Sequence, residues 1–383
     1  MGVSLGGGEP SGSSVLLSKT KRDQMQQRVR QMHVWRAIAA KVYGNAGIGV
    51  GTVNMKATRQ TTLRDTATVT GIGVHSGLPV TLTIHPADIN TGITFLRTGM
   101  EGCPDREVRA DVRAVTATEF ATVLGDTSGP LCSTAEHVLA ALSGLGVDNA
   151  MIEIDGPEVP IMDGSAAPFV AAIDQAGVIT LGAPRRYIQI IKPVRVAKGG
   201  CLGELRPYPH GFRLEVEIAF DNPLIGRQSM AFDLTPDSFR REVARARTFG
   251  FMQDVSKLWS AGYALGANFD NTVVVSDDRV LNADGLRFAD EFVRHKALDA
   301  IGDLALAGSP LIGAYRSVRG GHKLNHAVLC ALMADRTAWT TVDAGRFVDQ
   351  AVYPVAVRAV RRGRGQADIA TGLAVPVFGP DVS

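Results

Sequence analysis

Within residues 290–308, DEFVRHKALDAIGDLALAG, the side chains His295, Asp299 and Asp303 follow one another at i, i+4 and i+8. On a helix this spacing sets an imidazole and two carboxylates along one side, about a turn apart. An imidazole and a carboxylate so placed can close on one zinc-sized ion from a rigid scaffold. The same row also reads as a solvated helix face whose acids pair with Lys296 or Arg294. A metal reading needs a third ligand from another part of the chain. Glu136 and His137, adjacent in the run STAEHVLAALSGLG, offer both a ligand and a base. A carboxylate beside a metal-bound imidazole can take a proton from water, as the glutamate next to a ligand histidine does in metallohydrolases. Against this, Ser133 and Glu136 have capping-box spacing, and His137 fits a core histidine equally well. No H-E-x-x-H and no P-C-x-x-C occurs, which excludes the common zinc-protease and nucleobase-deaminase patterns.

Elements must position these groups. Phe292, Val293, Ala297, Leu298, Ile301, Leu304 and Ala305 recur at three-and-four spacing, so the 290–308 stretch is predicted as a helix that buries one face. Asp290 and Glu291 favour its N-terminus, and Gly308 with Pro310 supplies the stop. From Thr61 onward, ATVTGIGVHSG, PVTLTIHPA and ITFLRT alternate in the manner of antiparallel strands and hairpins. QIIKPVRVAKGG, GELRPYP and HGFRLEVEIAF repeat that order farther on, which implies a tandem duplication. STAEHVLAALSGLG and SAAPFVAAIDQAG are the helix signals of the first copy; TPDSFRREVARA and the 290–308 stretch are those of the second. The predicted fold class is α+β: two similarly built domains of antiparallel sheet plus helices, packed as a layered sandwich with a cleft between them. The hinge falls near residues 181–186, where Gly182 and Pro184 break the periodicity. The division is an extension 1–56, domain I at 57–182, domain II at 186–362 and a tail 363–383.

A formal net charge of +2 does not suggest a nucleic-acid surface, and no membrane span is visible. Cys103, Cys132, Cys201 and Cys330 are far apart and form no C-x-x-C, so a reducing, cytoplasmic setting is expected. The extension is basic, lacks a secretory h-region, and reads as disordered, as a transit-like segment or surface helix, or as translated from a start placed upstream of Met55. Asp155, Glu158 and Asp163 match no EF-hand spacing and are read as turn residues.

Taken together, STAEHVLAALSGLGVDN, IMDGSAAPF, ARTFGF, LRFADEFVRHKALDAIGDLALAG and GGHKLNHAVL resemble, in order, the bacterial UDP-3-O-acyl-N-acetylglucosamine deacetylases. The likeness runs from about residue 61 to about residue 361. It implies a zinc-dependent hydrolase that frees acetate from a UDP-linked acyl-glucosamine in lipid A synthesis. The small UDP-linked sugar is the expected partner, and a monomer is expected. Carried over by the resemblance, the Zn2+ ligands fall on His137, His295 and Asp299, and the general base on Glu136. His322 matches the histidine that protonates the departing amine, Asp303 the carboxylate that orients it, Thr248 an oxyanion donor and Lys296 a substrate or charge contact. Phe249 and Phe251 alternate in the same motif, so that one lines the sugar site while the other packs inward, and Arg319 meets the diphosphate. TEFATVLG has no cysteine, unlike some relatives, so no extra thiolate reaches the metal. The alternatives are a zinc amidase on another acylated sugar and a non-catalytic nucleotide-sugar-binding relative.

Overall fold

The computed structural model describes residues 58–344 apart from Met100, Glu101 and Cys103. The extension 1–56, residues 345–362 of the second segment and the tail 363–383 lie outside the described residues. Helices and sheets are mixed as an α+β fold requires. Among the described residues no strand pairing crosses from residues 59–184 to residues 186–343.

In the first half, strands Ala67–Ile72, Pro79–Pro86, Ala150–Ile154, Ile93–Arg97 and Arg106–Arg109 form a five-stranded sheet in that spatial order. In the second, Val194–Lys198, Cys201–Arg206, Leu311–Val318, Arg186–Ile190 and Trp339–Asp343 form the main path of a seven-stranded sheet. Phe212–Ala219 joins it along Leu311–Val318, with Arg227–Asp233 at the edge.

The sheets are not purely antiparallel, contrary to the sequence expectation. Ile93–Arg97 pairs parallel with Ala150–Ile154, and Phe212–Ala219 pairs parallel with Leu311–Val318. Hairpin signals report only neighbours in sequence; parallel strands need a long crossover, whose return partner no local pattern reveals. Each crossover carries one of the two helices that bear candidate metal ligands. The first contains α1 (Glu136–Leu145), followed after Ala150–Ile154 by α2 (Ala167–Ala176); the second contains α3 (Glu291–Ala305). Helix α4 (His322–Ala334) follows the return strand of the second half. Its Leu324, Val328, Leu329 and Leu332 carry the helical spacing, and Val328, Leu329 and Leu332 are buried.

TPDSFRREVARA is not the full helix its pattern suggests. Only Pro236–Ser238 is α-helical, with Thr235 and Ser238 closing a capping box, and Phe239–Val243 is wound as a π-turn. Phe239 is fully buried against Gly144 of α1, where even a Cβ would stand 2.3 Å from its ring.

Helix α1 packs against α3. Val138, Leu139, Leu142, Phe292, Leu298, Ile301 and Leu304 are buried in one continuous core with both sheets. The helix stops where Gly146 turns left-handed at φ 74°, its N–H donating to Ser143 and that of Val147 to Leu142. Burial of so much apolar surface fixes the relative position of the two helices, and hence of the polar groups at their crossing.

A candidate metal centre at the crossing of two helices

His295, Asp299 and Asp303 are only 3%, 2% and 2% exposed, which removes the solvated-face reading of α3. The helix is anchored at its first turn by a buried ion pair. The Arg247 Nε donates to Glu291 Oε1 at 2.9 Å, and the backbone N–H groups of Arg247 and Arg287 add bonds to the same carboxylate. Asp290 does not cap the helix and instead pairs with Arg294 one turn on.

Glu136 starts α1, but no capping box forms: the N-cap is Ala135, without a side-chain bond. The turn before it is held by Thr134, at φ 57°, whose hydroxyl donates to Glu158 at 2.8 Å. Glu158 also accepts from the backbone of His75 and Ser76, Asp155 accepts from Thr81, and Asp163 accepts from Ser165 and pairs with Arg287. All three acids are thus spent on contacts within the fold, and Glu158 is the one that holds the entry to α1.

Donor atoms of His137, His295 and Asp299 all lie within 4.8 Å of one another, and all three residues are buried. Asp299 Oδ1 sits 3.3 Å from His295 Nε2 and 3.8 Å from His137 Nε2. The imidazoles meet edge to face at 90°, with centroids 5.1 Å apart. Asp299 Oδ1 and His137 Nδ1 are buried with no hydrogen-bond partner. An orphaned carboxylate oxygen facing two imidazole nitrogens is costly without a cation, and the His, His, Asp donor set suits a borderline divalent metal. The residues present thus fit a metal ion. His295 Nδ1 donates to the Ala246 carbonyl at 3.0 Å, which leaves Nε2 as the free electron pair. Burial, reinforced by His295, lowers the His137 pKa to about 3, and burial also lowers that of His295, so both rings are neutral and able to ligate. Burial would raise Asp299, yet His295, Lys296 and His322 outweigh it and keep the carboxyl well below the usual range.

Around this trio the remaining groups separate by role. Lys296 Nζ donates to Asp299 Oδ2 at 2.7 Å, so its ammonium is tied to the carboxylate. Glu136 Oε2 accepts from the Thr122 N–H at 3.0 Å, while Oε1 faces His322 Nε2 at 3.8 Å. Burial pushes the Glu136 carboxyl up to about 7, with Asp303 and Asp299 adding to the rise against the pull of His322. His322 opens α4, and its Nδ1 donates to Asp303 Oδ2 at 2.9 Å. Burial opposes charge on His322, but Asp303 and Glu136 overcome it and raise the imidazole to about 9. Near neutral pH the crossing therefore holds one carboxyl poised to exchange a proton and one charged imidazole, the pattern of a base and an acid set apart by environment.

Phe249 packs edge-on against His295 at 6.3 Å and against Phe292 at 5.0 Å; Phe251 meets Phe220 at 5.7 Å. Thr248 is held by backbone bonds to Gly164 and Val273, two residues beyond the Ala246 carbonyl that fixes His295. Among the described residues its hydroxyl hydrogen-bonds none of the clustered side chains. Arg319 lies exposed at φ 53° on the turn before α4, three residues from His322, its N–H donating to Glu217. The sequence reading missed Thr122 and Asn325, which both bond Asp303, at 2.6 and 2.8 Å. A single threonine in a turn and an asparagine on a helix face carry no signal of their own; only the contact identifies them.

The family described as UDP-3-O-acyl N-acetylglycosamine deacetylase matches residues 60–334. The proteins named UDP-3-O-acyl-N-acetylglucosamine deacetylase in Brucella ovis and Brucella abortus are each 51% identical over 286 residues, covering 74% of this chain and 99% of theirs. That of Brucella melitensis is similar to the same extent. With the matched span enclosing the whole His137, His295 and Asp299 cluster together with Glu136 and His322, the chain belongs to the UDP-3-O-acyl N-acetylglycosamine deacetylase family.

Proposed function

We propose that the chain hydrolyses the N-acetyl group of a UDP-linked 3-O-acyl-N-acetylglucosamine, releasing acetate and the free amine for lipid A synthesis. Its family membership and the 51% identity to relatives of that name support the substrate. The observation that carries the chemistry is the buried trio His137, His295 and Asp299 lying beside Glu136 and His322. The two halves, 57–182 and 186–362, are read as domains that each contribute ligands to this crossing; the separation of their strand pairings supports the division.

The three residues would hold zinc, whose Lewis acidity, when it is bound, acts on an amide carbonyl and a water. Glu136 Oε1 takes a proton as water oxygen bonds to the acetyl carbon. His322 Nε2 then gives one to the nitrogen as the C–N bond breaks, so that water is divided between acetate and amine. Asp303 keeps His322 charged and correctly turned. The Thr248 hydroxyl donates to the developing oxyanion. Lys296, its ammonium kept charged by its pairing with Asp299, adds positive charge beside the reacting carbonyl. One of the alternating pair Phe249 and Phe251 lines the sugar while the other packs inward, and Arg319 meets the diphosphate, its exposed position supporting an anion contact. A cytoplasmic setting is supported by the free thiols Cys132, Cys201 and Cys330. No helix among the described residues is long and apolar enough to cross a membrane.

The test measures metal content and acetate release on one sample. About one zinc per chain is expected, with activity lost on chelation and regained on zinc return. Acetate released only from a different acylated sugar would overturn the substrate, and activity indifferent to chelation would overturn the chemistry.

A further inference from the structure

We propose that Thr122 is a positioning residue that locks the proton acceptor Glu136 and the proton donor pair His322 and Asp303 into one mutual geometry. The inference rests on the hydrolytic reading of the site, and the role of this threonine lies beyond it. Thr122 is 2% exposed and sits in the connection between strands Val115–Ala117 and Val123–Asp126, at the N-terminus of α1. All three of its polar groups are spent on the site. Its N–H donates to Glu136 Oε2 at 3.0 Å, and its carbonyl accepts from the Ala135 N–H at 3.2 Å, fixing the residue from which Glu136 departs. Its hydroxyl donates to Asp303 Oδ1 at 2.6 Å and stands 3.4 Å from His322 Nδ1. One residue of the first half therefore holds a carboxylate on α1 by its main chain and a carboxylate on α3 by its side chain.

Both oxygens of Asp303 accept hydrogen bonds. Oδ2 is taken by His322 Nδ1 at 2.9 Å and Asn325 Nδ2 at 2.8 Å, and Asn325 is itself fixed by the Tyr315 hydroxyl at 2.6 Å. Asn325 and Tyr315 both belong to the second half. The Thr122 hydroxyl on Oδ1 is the bond that ties this carboxylate to the first half. A buried carboxylate oxygen left bare recruits another donor or rotates, and rotation of Asp303 carries the His322 ring with it. Glu136 Oε1 and His322 Nε2, 3.8 Å apart, bracket the space where protons are exchanged, so a small displacement of the ring weakens transfer without removing either group.

The comparison is of Thr122→Val, Thr122→Ala and Thr122→Ser in the full-length zinc enzyme. Valine keeps the branched shape and the main-chain bonds but removes the hydroxyl; alanine does so without adding a buried methyl. For both, kcat is expected to fall roughly 10- to 100-fold with KM, metal content and thermal midpoint close to the parent values, and serine is expected to recover most of the loss. In a His322→Ala background, Thr122→Val should cost less than about twofold more, since the group being positioned is gone. Independently of any substrate, the NMR signal of the His322 Nδ1 proton, assigned by its loss in His322→Ala, should shift in the valine and alanine variants and return with serine. An unmoved signal, equal losses in serine and valine variants, or full additivity with His322→Ala would overturn the role of Thr122. An unreactive parent enzyme whose His322 signal still responds to Thr122 would instead place the fault with the substrate assignment.

Discussion

Gly302 lies directly under the Glu136 main chain: a Cβ at position 302 would come within 2.0 Å of the Glu136 carbonyl oxygen. The absence of a side chain one turn past Asp299 is what lets α1 approach α3 closely enough for His137 to share a space with His295 and Asp299. The clustering of His137, His295 and Asp299, and the placement of Glu136 beside them, therefore depend on a residue with no side chain.

Replacing Gly302 with alanine sets a methyl against main chain, which cannot yield as a flexible side chain would. The expected cost is about 2 kcal/mol from overpacking, read as a lowered denaturation midpoint. Zinc affinity is expected to weaken in the same variant as α1 is pushed from α3. Unchanged zinc binding and stability would show that the helices tolerate a wider crossing.

Glu136→Gln preserves the shape of the side chain and removes its capacity to take a proton. Turnover is expected to fall by a factor on the order of 100 to 10,000, with zinc content intact. Loss of metal together with activity would make Glu136 a ligand.

The Arg247 and Glu291 pair, 2.9 Å apart and buried, predicts a defined acid sensitivity. Burial alone would raise the Glu291 carboxyl, but the Arg247 side chain and the backbone donors of Arg247 and Arg287 pull it below its ordinary value. A carboxyl lowered in the folded state stabilises fully above its unfolded pKa and loses that contribution as pH falls through the folded one. Glu291→Gln is thus expected to cost about 3 kcal/mol at neutral pH, and the gap to the parent should narrow below about pH 4. Urea unfolding of both proteins across that range measures it; a gap independent of pH would assign the stabilisation to packing.

Helix α3 was legible because its apolar residues recur at helical spacing, and the strands because theirs alternate. Burial selects for those periods, and a period survives in one dimension. The approach of two distant segments does not. The row His295, Asp299 and Asp303 could be seen in the chain, and the resemblance assigned its members different roles, but no spacing explains why Asp299 Oδ1 turns to two imidazoles while Asp303 turns to His322, Thr122 and Asn325. Phe239 shows the converse: its pattern reads as helix, yet the segment it opens is wound as a π-turn, with its ring seated on Gly144.

By itself, then, the sequence determined the α+β class, the periodic helices and strands, and the types of side chain available for chemistry, since each depends on neighbours within a few residues. The tertiary structure alone decided which strands pair in parallel, that α1 and α3 meet at Gly302, and that Thr122 reaches both Glu136 and Asp303. Those are contacts between residues up to 181 positions apart, set by the packing of whole layers.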